Sequence, residues 1–458
     1  MWSNRISSLL LFATVTLAPL PFGSTSGAAI AVWCVVLGAG LMLTSLHELR
    51  GAHFKLLFGC AVIVLAYAFV LHEQLSAHPF IASPDRIWQQ ASAALETQLT
   101  PVASIARNQP YFAVGAPLSA MLALVCSLIV CADRIRARQL IKVIAWSGAA
   151  YAVFGIVAFF VDPTKTLWRR SAYPDVLTAT FVNRNTAAAY FGSCSIAWLL
   201  MTCEPVRGYI RGHGNRWRFE PRKIVGQLGN EITWPFAMLV LCLIAMFMTA
   251  SRGGVIVSLI ALVSAFAGIF HRSLTRVKAW LLVMTIIGSV ALLLLQIVGT
   301  GVSGRLESQG LADEGRLATY RSTLHMIGDH PWFGTGLGTF AWSFPSYRTT
   351  DASMSGTWDR AHDTPLELAS DVGLPLAGLV ACGWVLALAI LIHGMRVRDR
   401  DLVVPTAAFS ISILANLHSL VDFSLQTSGY AIGVFAVLGA GLSQSFRSEP
   451  KRNKEKVA

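Results

Sequence analysis

The chain has 458 residues and a formal net charge of +12, with 54% hydrophobic and only 13% charged residues. Soluble domains carry about twice that fraction of charged residues, so the composition excludes an ordinary soluble protein and indicates one that lies largely in a membrane. The positive charge is concentrated in loops on one side of the predicted spans, which indicates membrane topology rather than nucleic-acid binding.

Twelve apolar segments approach the length of about twenty residues that a helix needs to cross the hydrocarbon. The first could pass for a signal peptide, but eleven more follow, so we interpret it as a retained span. Lipid does not tolerate unpaired backbone amides, and the segments are apolar all round, so the sequence predicts an all-α integral membrane protein and excludes a strand barrel. The segments are roughly 6–22, 28–46, 54–72, 111–132, 143–161, 184–203, 233–250, 254–270, 279–300, 372–395, 402–421 and 428–446.

The distribution of Lys and Arg predicts the orientation of these spans. One set of loops and termini holds 24 of the 36 basic residues, and by the positive-inside rule we predict that it faces the cytoplasm, with both chain termini. That set comprises 1–5, 47–55, 133–142, 204–232, 271–278, 396–401 and 447–458. The loops predicted to face outward are 73–110, 162–183, 251–253, 301–371 and 422–427.

The longest loop, residues 301–371, is rich in Arg, His, Gly and aromatic residues, and we predict that it carries the function. It divides the chain into four spans within 1–132, five within 133–300 and three within 372–446, followed by a disordered tail at 447–458. The eight cysteines lie in or beside apolar runs without metal-ligand spacing, which is typical of small core residues.

Two local structures are predicted inside this loop. Four residues at helical spacing predict an amphipathic helix at the membrane interface, which begins at Asp313 or Glu314 and ends before Pro331. The four are Leu317, Tyr320, Leu324 and Ile327. Gly334, Gly336 and Gly338 then predict a turn that approaches another group closely. They follow no predicted strand, so they do not indicate a nucleotide site.

Twelve basic residues fall on the predicted outer side or near it, against the positive-inside rule. Arg184 begins a predicted span, and Arg252 lies in a tight turn between two spans, where a guanidinium is costly unless it is paired or functional. Because Arg binds phosphate bidentately, several such residues would suit a diphosphate headgroup. Snorkelling, or pairing with Asp371 or Asp422, is the alternative. The twelve are Arg86, Arg107, Lys165, Arg169, Arg170, Arg184, Arg252, Arg305, Arg316, Arg321, Arg348 and Arg360.

His362 is the candidate general base. Asp359, Asp363 and Glu367 follow a four-residue spacing around it, which predicts one helix face, and the His or a carboxylate there could deprotonate an acceptor hydroxyl. The alternative is a solvated interfacial face with His362 packed on Trp358. His418 and Asp422, four residues apart, are a second polar pair that we interpret as a helix-end contact.

Hydrolase, zinc-protease and P-loop motifs are missing from the sequence, as are paired carboxylates with the spacing of a divalent-metal site. We therefore expect neither a metal nor another cofactor.

Five stretches together resemble the O-antigen ligase and polymerase superfamily of bacterial membrane proteins, over roughly residues 180–440. In the ligase pattern, His is followed by Asn, Ser or Gln, then nine residues, then Gly. Here these positions are His362, Asp363 and Gly373, so Asp363 departs from the pattern, as does Leu376 where Gly, Thr or Tyr is usual. The departures favour a polymerase slightly over a ligase. The stretches are FVNRNTAAAYFG, TASRGG, GRLATYRSTLHMIGDHPWFGTGLGTF, AHDTPLELASDVGLPLAG and HSLVDFSLQTSGYA.

The resemblance implies a GT-C-like membrane glycosyltransferase that acts at the periplasmic face of the bacterial inner membrane. It would transfer a glycan from undecaprenyl diphosphate to a saccharide acceptor, with inversion and without a metal. The acceptor is lipid A–core in ligases and another lipid-linked repeat of a surface polysaccharide in polymerases, where a chain-length regulator is a candidate partner.

The resemblance also implies roles for individual residues. Arg316 and His362 match catalytic positions of the family, and Arg252 matches a donor-binding arginine. Arg184 and Arg321 are further candidates for binding the substrate.

Two other functions remain open on the sequence. A transporter or channel would fit twelve spans, but it predicts internal repeats and charged or broken helices near mid-membrane, which the sequence does not show. A non-catalytic component of a polysaccharide export system would leave the outer arginines without a role. The transferase hypothesis requires Arg252, Arg316 and His362 to meet at one outward-facing cavity that is open to lipid.

Overall fold

The computed structural model describes residues 2–213, 221–271, 288, 314–352, 357–398 and 401–446. The predicted span at 279–300, apart from residue 288, lies outside these residues, as do Arg305, Asp313 and the tail at 447–458. Within them the chain is mainly helical, which confirms the predicted all-α class. Two strands of two residues each, β1 (Lys165–Thr166) and β2 (Arg169–Arg170), pair antiparallel in a hairpin.

Sixteen α-helices occur in the described part of the chain. In chain order they are α1 Trp2–Leu17, α2 Gly27–Met42, α3 Gly51–Leu75, α4 Ile87–Ala94, α5 Gln109–Ala113, α6 Gly115–Val130, α7 Arg134–Val161, α8 Arg184–His213, α9 Pro221–Met248, α10 Arg252–Phe270, α11 Glu314–Asp329, α12 Phe340–Ser343, α13 Thr364–Val372, α14 Leu374–Val397, α15 Val403–Ser419 and α16 Ser428–Ser443.

The apolar helices correspond to eleven of the twelve predicted spans. Among the described residues, seven helical runs are long and apolar enough to cross a membrane: α3, α5 with α6, α7, α8, most of α9, α10 and α14. The other four, α1, α2, α15 and α16, are apolar but have only 10–17 residues. The chain is therefore a multi-pass membrane protein.

Helix α8 lies at the centre of the helical bundle, against α7, α9, α10 and α15. Small residues let the backbones come close, as is common between membrane helices. At Gly192 of α8, an added Cβ would lie 2.0 Å from the Ser258 hydroxyl of α10, so a larger residue would push the two helices apart. This packing fixes the first residues of α8 and α10 relative to each other.

The loops separate into two groups at opposite ends of the bundle. At one end, Asp401 forms ion pairs with Arg134 at 2.7 Å and with Arg138 at 2.9 Å, and Arg138 also pairs with Glu204. The Gln444 side chain, near the end of α16, donates to the Cys131 carbonyl at the same end. We name this the basic end, because its loops belong to the set that holds 24 of the 36 Lys and Arg residues.

The opposite end is named the loop end. It contains the turn after α1, the hairpin region, the start of α10 and the segment after α15. For example, Gly429 N–H donates to the Gly23 carbonyl at 2.9 Å, and Leu177 N–H donates to the Met248 carbonyl at 3.0 Å. The candidate site residues lie at this end.

Candidate functional site

Helix α11 brings the first candidate arginine to the loop end. It is described from Glu314 to Asp329, and its end agrees with the position of Pro331. Its buried side is made of small or flexible side chains such as Thr319, Thr323 and Met326. Leu317 and Leu324 remain 46% and 54% exposed, so these two residues of the predicted apolar stripe stay available to lipid.

The glycine turn after α11 is clamped onto the junction between α13 and α14. Thr335 N–H donates to the Ser370 carbonyl at 2.9 Å, and Leu374 N–H donates to the Pro331 carbonyl at 2.8 Å. Gly334 has a φ of +67°, and an added Cβ there would lie 2.4 Å from the Asp371 backbone. The close approach predicted from the glycines therefore exists, and the group approached is the protein's own backbone.

Gln74 of α3 joins the same junction. Its amide nitrogen donates to the Phe333 carbonyl at 2.6 Å and to the Asp371 carbonyl at 2.8 Å, and its amide oxygen accepts from Leu337 N–H at 3.0 Å. One buried side chain thus ties α3, the glycine turn and α13 together. This holds α13, which begins two residues after His362, in a fixed place.

His362 lies in a constrained loop immediately before α13. Its φ is +56°, a left-handed conformation that is unfavourable for a residue with a Cβ and that often marks functional sites. Two contacts hold this backbone: the Tyr320 hydroxyl donates to the His362 carbonyl at 3.0 Å, and Ala361 N–H donates to a Glu367 carboxylate oxygen at 2.8 Å.

The predicted carboxylate face around His362 is wrong. Asp363 is the N-cap of α13 and accepts from Leu366 N–H at 2.8 Å, and Pro365 lies in the first turn. Because the helix begins only at Thr364, Asp359 lies before it and cannot share a helix face with Glu367. Glu367 instead forms an ion pair with Arg360 at 2.9 Å, so it supports the loop.

The side chain of His362 pairs with Asp422. Its Nδ1 lies 3.3 Å from Asp422 Oδ1, and the ring meets Trp358 and Phe423 edge-on, with centroids 5.8 Å and 5.2 Å away. The carboxylate is 1% exposed, whereas the imidazole is 24% exposed. When Nδ1–H donates to Asp422, Nε2 is the nitrogen free to accept a proton.

Asp422 remains a carboxylate in this environment. Burial raises its pKa, but the hydrogen bond from His362 and the proximity of His418 outweigh burial, so the pKa lies below its ordinary value. The predicted contact with His418 is confined to the backbone, where Asp422 N–H donates to the His418 carbonyl at 3.0 Å. The His418 ring bonds the Ser424 hydroxyl instead.

Two arginine-bearing elements meet at the residue before Asp422. Arg316 of α11 donates from Nη1 to the Val421 carbonyl at 2.7 Å. The turn that carries Arg252 packs on the same residue, since a Cβ added at Gly253 would lie 3.4 Å from a Val421 methyl. The structure therefore brings Arg316, the Arg252 turn and His362 together around Val421 and Asp422.

The start of α8 is joined to the start of α10 beside this cluster. The Ser251 hydroxyl caps α10 by accepting from Gly254 N–H at 3.2 Å, and it donates to Asn185 Oδ1 at 2.8 Å. Arg184 and Arg252 are the first residues of these two helices. Both helix dipoles present their positive ends here, which favours an anion.

Arg184 has unused hydrogen-bonding capacity. Its Nε and Nη1 atoms, and the Nδ2 atom of neighbouring Asn183, are buried and find no partner among the described residues. The guanidinium stands over the Tyr173 ring, 5.3 Å from its centroid. Buried donors without partners are costly, so this group is suited to accept an anionic ligand.

Arg321 is not brought into the cluster. It follows Arg316 by five residues, about 140° further around α11, and its side chain is exposed. No hydrogen bond or ion pair joins it to the other candidates within the described residues. Those residues also contain no group of three or more His, Cys, Asp or Glu side chains arranged to hold a metal.

Asp422 and Asn185 are the functional candidates that sequence reasoning missed. Asp422 was interpreted as the partner of His418, because a spacing of four residues is visible in a sequence. Its contact with His362, 60 positions away, is not. Asn185 lies in the stretch FVNRNTAAAYFG, from which only its neighbour Arg184 was predicted as a site residue.

A sequence model of the family described as O-Antigen ligase matches residues 237–381. No curated protein matches the chain. The matched segment runs from α9 into α14 and includes Arg252, Arg316 and His362, whereas Arg184 and Asp422 lie beyond it. Together with the multi-pass helical fold, this match supports an assignment to the O-antigen ligase and polymerase superfamily.

Proposed function

We propose that the protein is a membrane glycan transferase of the O-antigen ligase and polymerase type. It moves a glycan from undecaprenyl diphosphate to a saccharide acceptor at the periplasmic face of the inner membrane. The observation that carries this proposal is the meeting of Arg316, the Arg252 turn and the His362–Asp422 pair around Val421, at the loop end of the bundle.

The arginines suit the leaving group of such a reaction. When the bond between the anomeric carbon and the phosphate oxygen breaks, the diphosphate leaves with the electron pair and its charge must be stabilised. Arg184, Arg252 and Arg316, with the positive ends of α8 and α10, would hold that charge in a fixed arrangement. Fixed guanidinium groups provide this stabilisation without a metal ion.

The His362–Asp422 pair suits the acceptor. With Nδ1–H donating to Asp422, Nε2 would take the proton from the attacking hydroxyl as the new glycosidic bond forms. A single displacement of this kind inverts the configuration at the anomeric carbon. The partial exposure of the ring leaves room for an acceptor.

The proposed orientation rests on charge. The loops at the basic end belong to the set that holds 24 of the 36 Lys and Arg residues, so this end is proposed to face the cytoplasm. The loop end, with Arg316 and His362, would then face the periplasm.

The acceptor is proposed only as a saccharide, attached either to lipid A–core or to another lipid-linked repeat. Asp363 in place of Asn, Ser or Gln no longer favours a polymerase over a ligase. Asp363 caps α13, and Asn or Ser would fill the same role at a helix start. In a deletion strain, single repeats left unextended would indicate polymerisation, and full-length chains left unattached would indicate ligation.

The test is to incubate the purified protein in liposomes with a lipid-diphosphate-linked repeat, with and without lipid A–core. Chain growth or transfer to the acceptor is expected. Recovery of the intact donor under both conditions would overturn the proposal, and movement of the intact glycan across the bilayer would identify a transporter.

A further inference from the structure

The β1–β2 hairpin is a rigid element at the loop end. Thr166 of β1 is buried, and its hydroxyl lies 2.9 Å from the Thr178 hydroxyl. The Trp168 ring meets the Phe22 ring edge-on, with the two centroids 4.9 Å apart. The Arg169 guanidinium lies over the Phe22 ring, 4.5 Å from its centroid. The hairpin is thus held against the turn after α1.

The hairpin displays an unbalanced positive charge. Its register places Lys165 directly opposite Arg170, and like charges in directly opposed positions repel each other. Lys165 is partly neutralised by Asp162 at 2.9 Å, whereas Arg170 is exposed and forms no ion pair within the described residues. Arg169 keeps its charge while stacked on Phe22. An anion between Lys165 and Arg170 would relieve the repulsion between them.

The hairpin is also connected to the candidate site. The segment after β2 carries Tyr173, on whose ring the Arg184 guanidinium stands. The indole of Trp168 is 74% exposed and so provides a flat apolar surface in the same hairpin as Lys165 and Arg170. An aromatic face next to guanidinium groups matches a sugar ring that carries a carboxylate or phosphate.

We propose that the facing pair Lys165 and Arg170, with Trp168, binds an acidic saccharide residue of the glycan substrate. The cations bind its carboxylate or phosphate, and Trp168 stacks on its ring. This inference rests on the proposed function and deepens it by naming the substrate class. It makes the hairpin a determinant of substrate specificity, separate from the site of bond breakage.

The test compares two double variants with the same loss of charge. Lys165→Gln/Arg170→Gln removes the facing cations, and Arg86→Gln/Arg107→Gln removes two exposed arginines elsewhere in the predicted outward loops. Each purified protein is placed in nanodiscs of zwitterionic lipid and, in parallel, in nanodiscs that also contain anionic lipid. Binding of an oligogalacturonate and of a neutral oligosaccharide of equal length is measured at low and high salt.

Salt-sensitive binding of the oligogalacturonate by the wild type and the control is expected, with affinity at least about tenfold lower in the hairpin variant, the loss of about one charge-assisted contact. Absence of oligogalacturonate binding in the wild type, or equal binding by the hairpin variant, would overturn the proposal. A change that appears only when anionic lipid is added would overturn it in favour of a lipid contact.

Binding also separates this proposal from the proposed function. Loss of oligogalacturonate binding in the hairpin variant supports the acidic-saccharide site even if no preparation transfers glycan. Conversely, glycan transfer with unchanged saccharide binding in the hairpin variant retains the transferase and removes the hairpin from it.

Discussion

His362 Nδ1 lies 3.3 Å from Asp422 Oδ1, although 60 positions separate the two residues in the chain. The pair joins the loop before α13 to the turn after α15, and Arg316 and the Arg252 turn contact the residue beside it. Because Asp422 is buried and the imidazole is partly exposed, the carboxylate fixes the ring while the ring faces the site. This arrangement makes the roles of the two residues separable by mutation.

The first prediction concerns the orientation of His362. On the proposed transfer reaction, His362→Ala should abolish product, and Asp422→Asn should lower the rate about 10²-fold, because the amide cannot hold the protonated imidazole as a carboxylate does. Single-turnover transfer with labelled donor measures both. His325→Ala, an exposed histidine on α11, is the control. Full activity in Asp422→Asn would remove the carboxylate from the mechanism.

The depressed pKa of Asp422 predicts a pH dependence of stability. Its folded-state pKa is below the unfolded value near 3.9, so the carboxylate stabilises the fold above that pH and the contribution is lost as pH falls through the folded pKa. The difference in thermal unfolding temperature between wild type and Asp422→Asn should therefore shrink as pH falls below about 4. A difference that grows with acid would contradict this assignment.

The third prediction compares two arginines on one helix. Arg316 reaches the Val421 carbonyl, whereas Arg321 is exposed and remains a candidate only by its position in the loop. Arg316→Ala should reduce transfer about 10²-fold or more, and Arg321→Ala less than about tenfold. Initial rates against donor concentration measure the effect. Equal losses in the two variants would show that α11 binds the donor through its exposed side as well.

The fourth prediction tests the clamp between the glycine turn and α13. Gly373 has a φ of +82°, and an added Cβ would lie 2.2 Å from the Trp332 carbonyl oxygen, so Gly373→Ala should destabilise the protein by about 2 kcal/mol or more and reduce transfer. Gly378→Ala on α14 meets nothing within 4 Å and should be nearly neutral. Thermal unfolding in detergent compares the two variants. Equal stability would contradict the proposed tight contact.

The fifth prediction concerns Asp371. Burial, and next the charge of Glu367, raise its pKa well above the ordinary value, and its Oδ1 has no partner among the described residues. The folded state therefore binds the proton more tightly, so stability falls as pH rises above about 4 towards the raised pKa. Asp371→Asn keeps the neutral form and should lose less stability over that range in thermal unfolding. The exposed Asp351→Asn variant should follow the wild type.

Much of the architecture could be predicted because it depends on residues that are close together in the sequence. The length of the apolar runs predicts helices, and Pro331 marks the end of α11. Arg184 was expected at the start of a span and Arg252 in the turn before one, and each is the first residue of its helix. The prediction of a carboxylate face failed because Asp363 and Pro365 start α13 after His362, a local detail that helical spacing alone does not reveal.

The sequence by itself determined an all-helical membrane protein, its grouping of basic loops and its candidate arginines and histidine, since these follow from composition and local periodicity. Only the tertiary structure decided that Asp422 holds His362, that Gln74 ties the glycine turn to α13, and that Arg321 stays outside the cluster. Such contacts join segments far apart in the chain, and they depend on how helices pack and which side chains packing leaves buried. Local sequence patterns therefore do not reveal which distant side chains will be in contact.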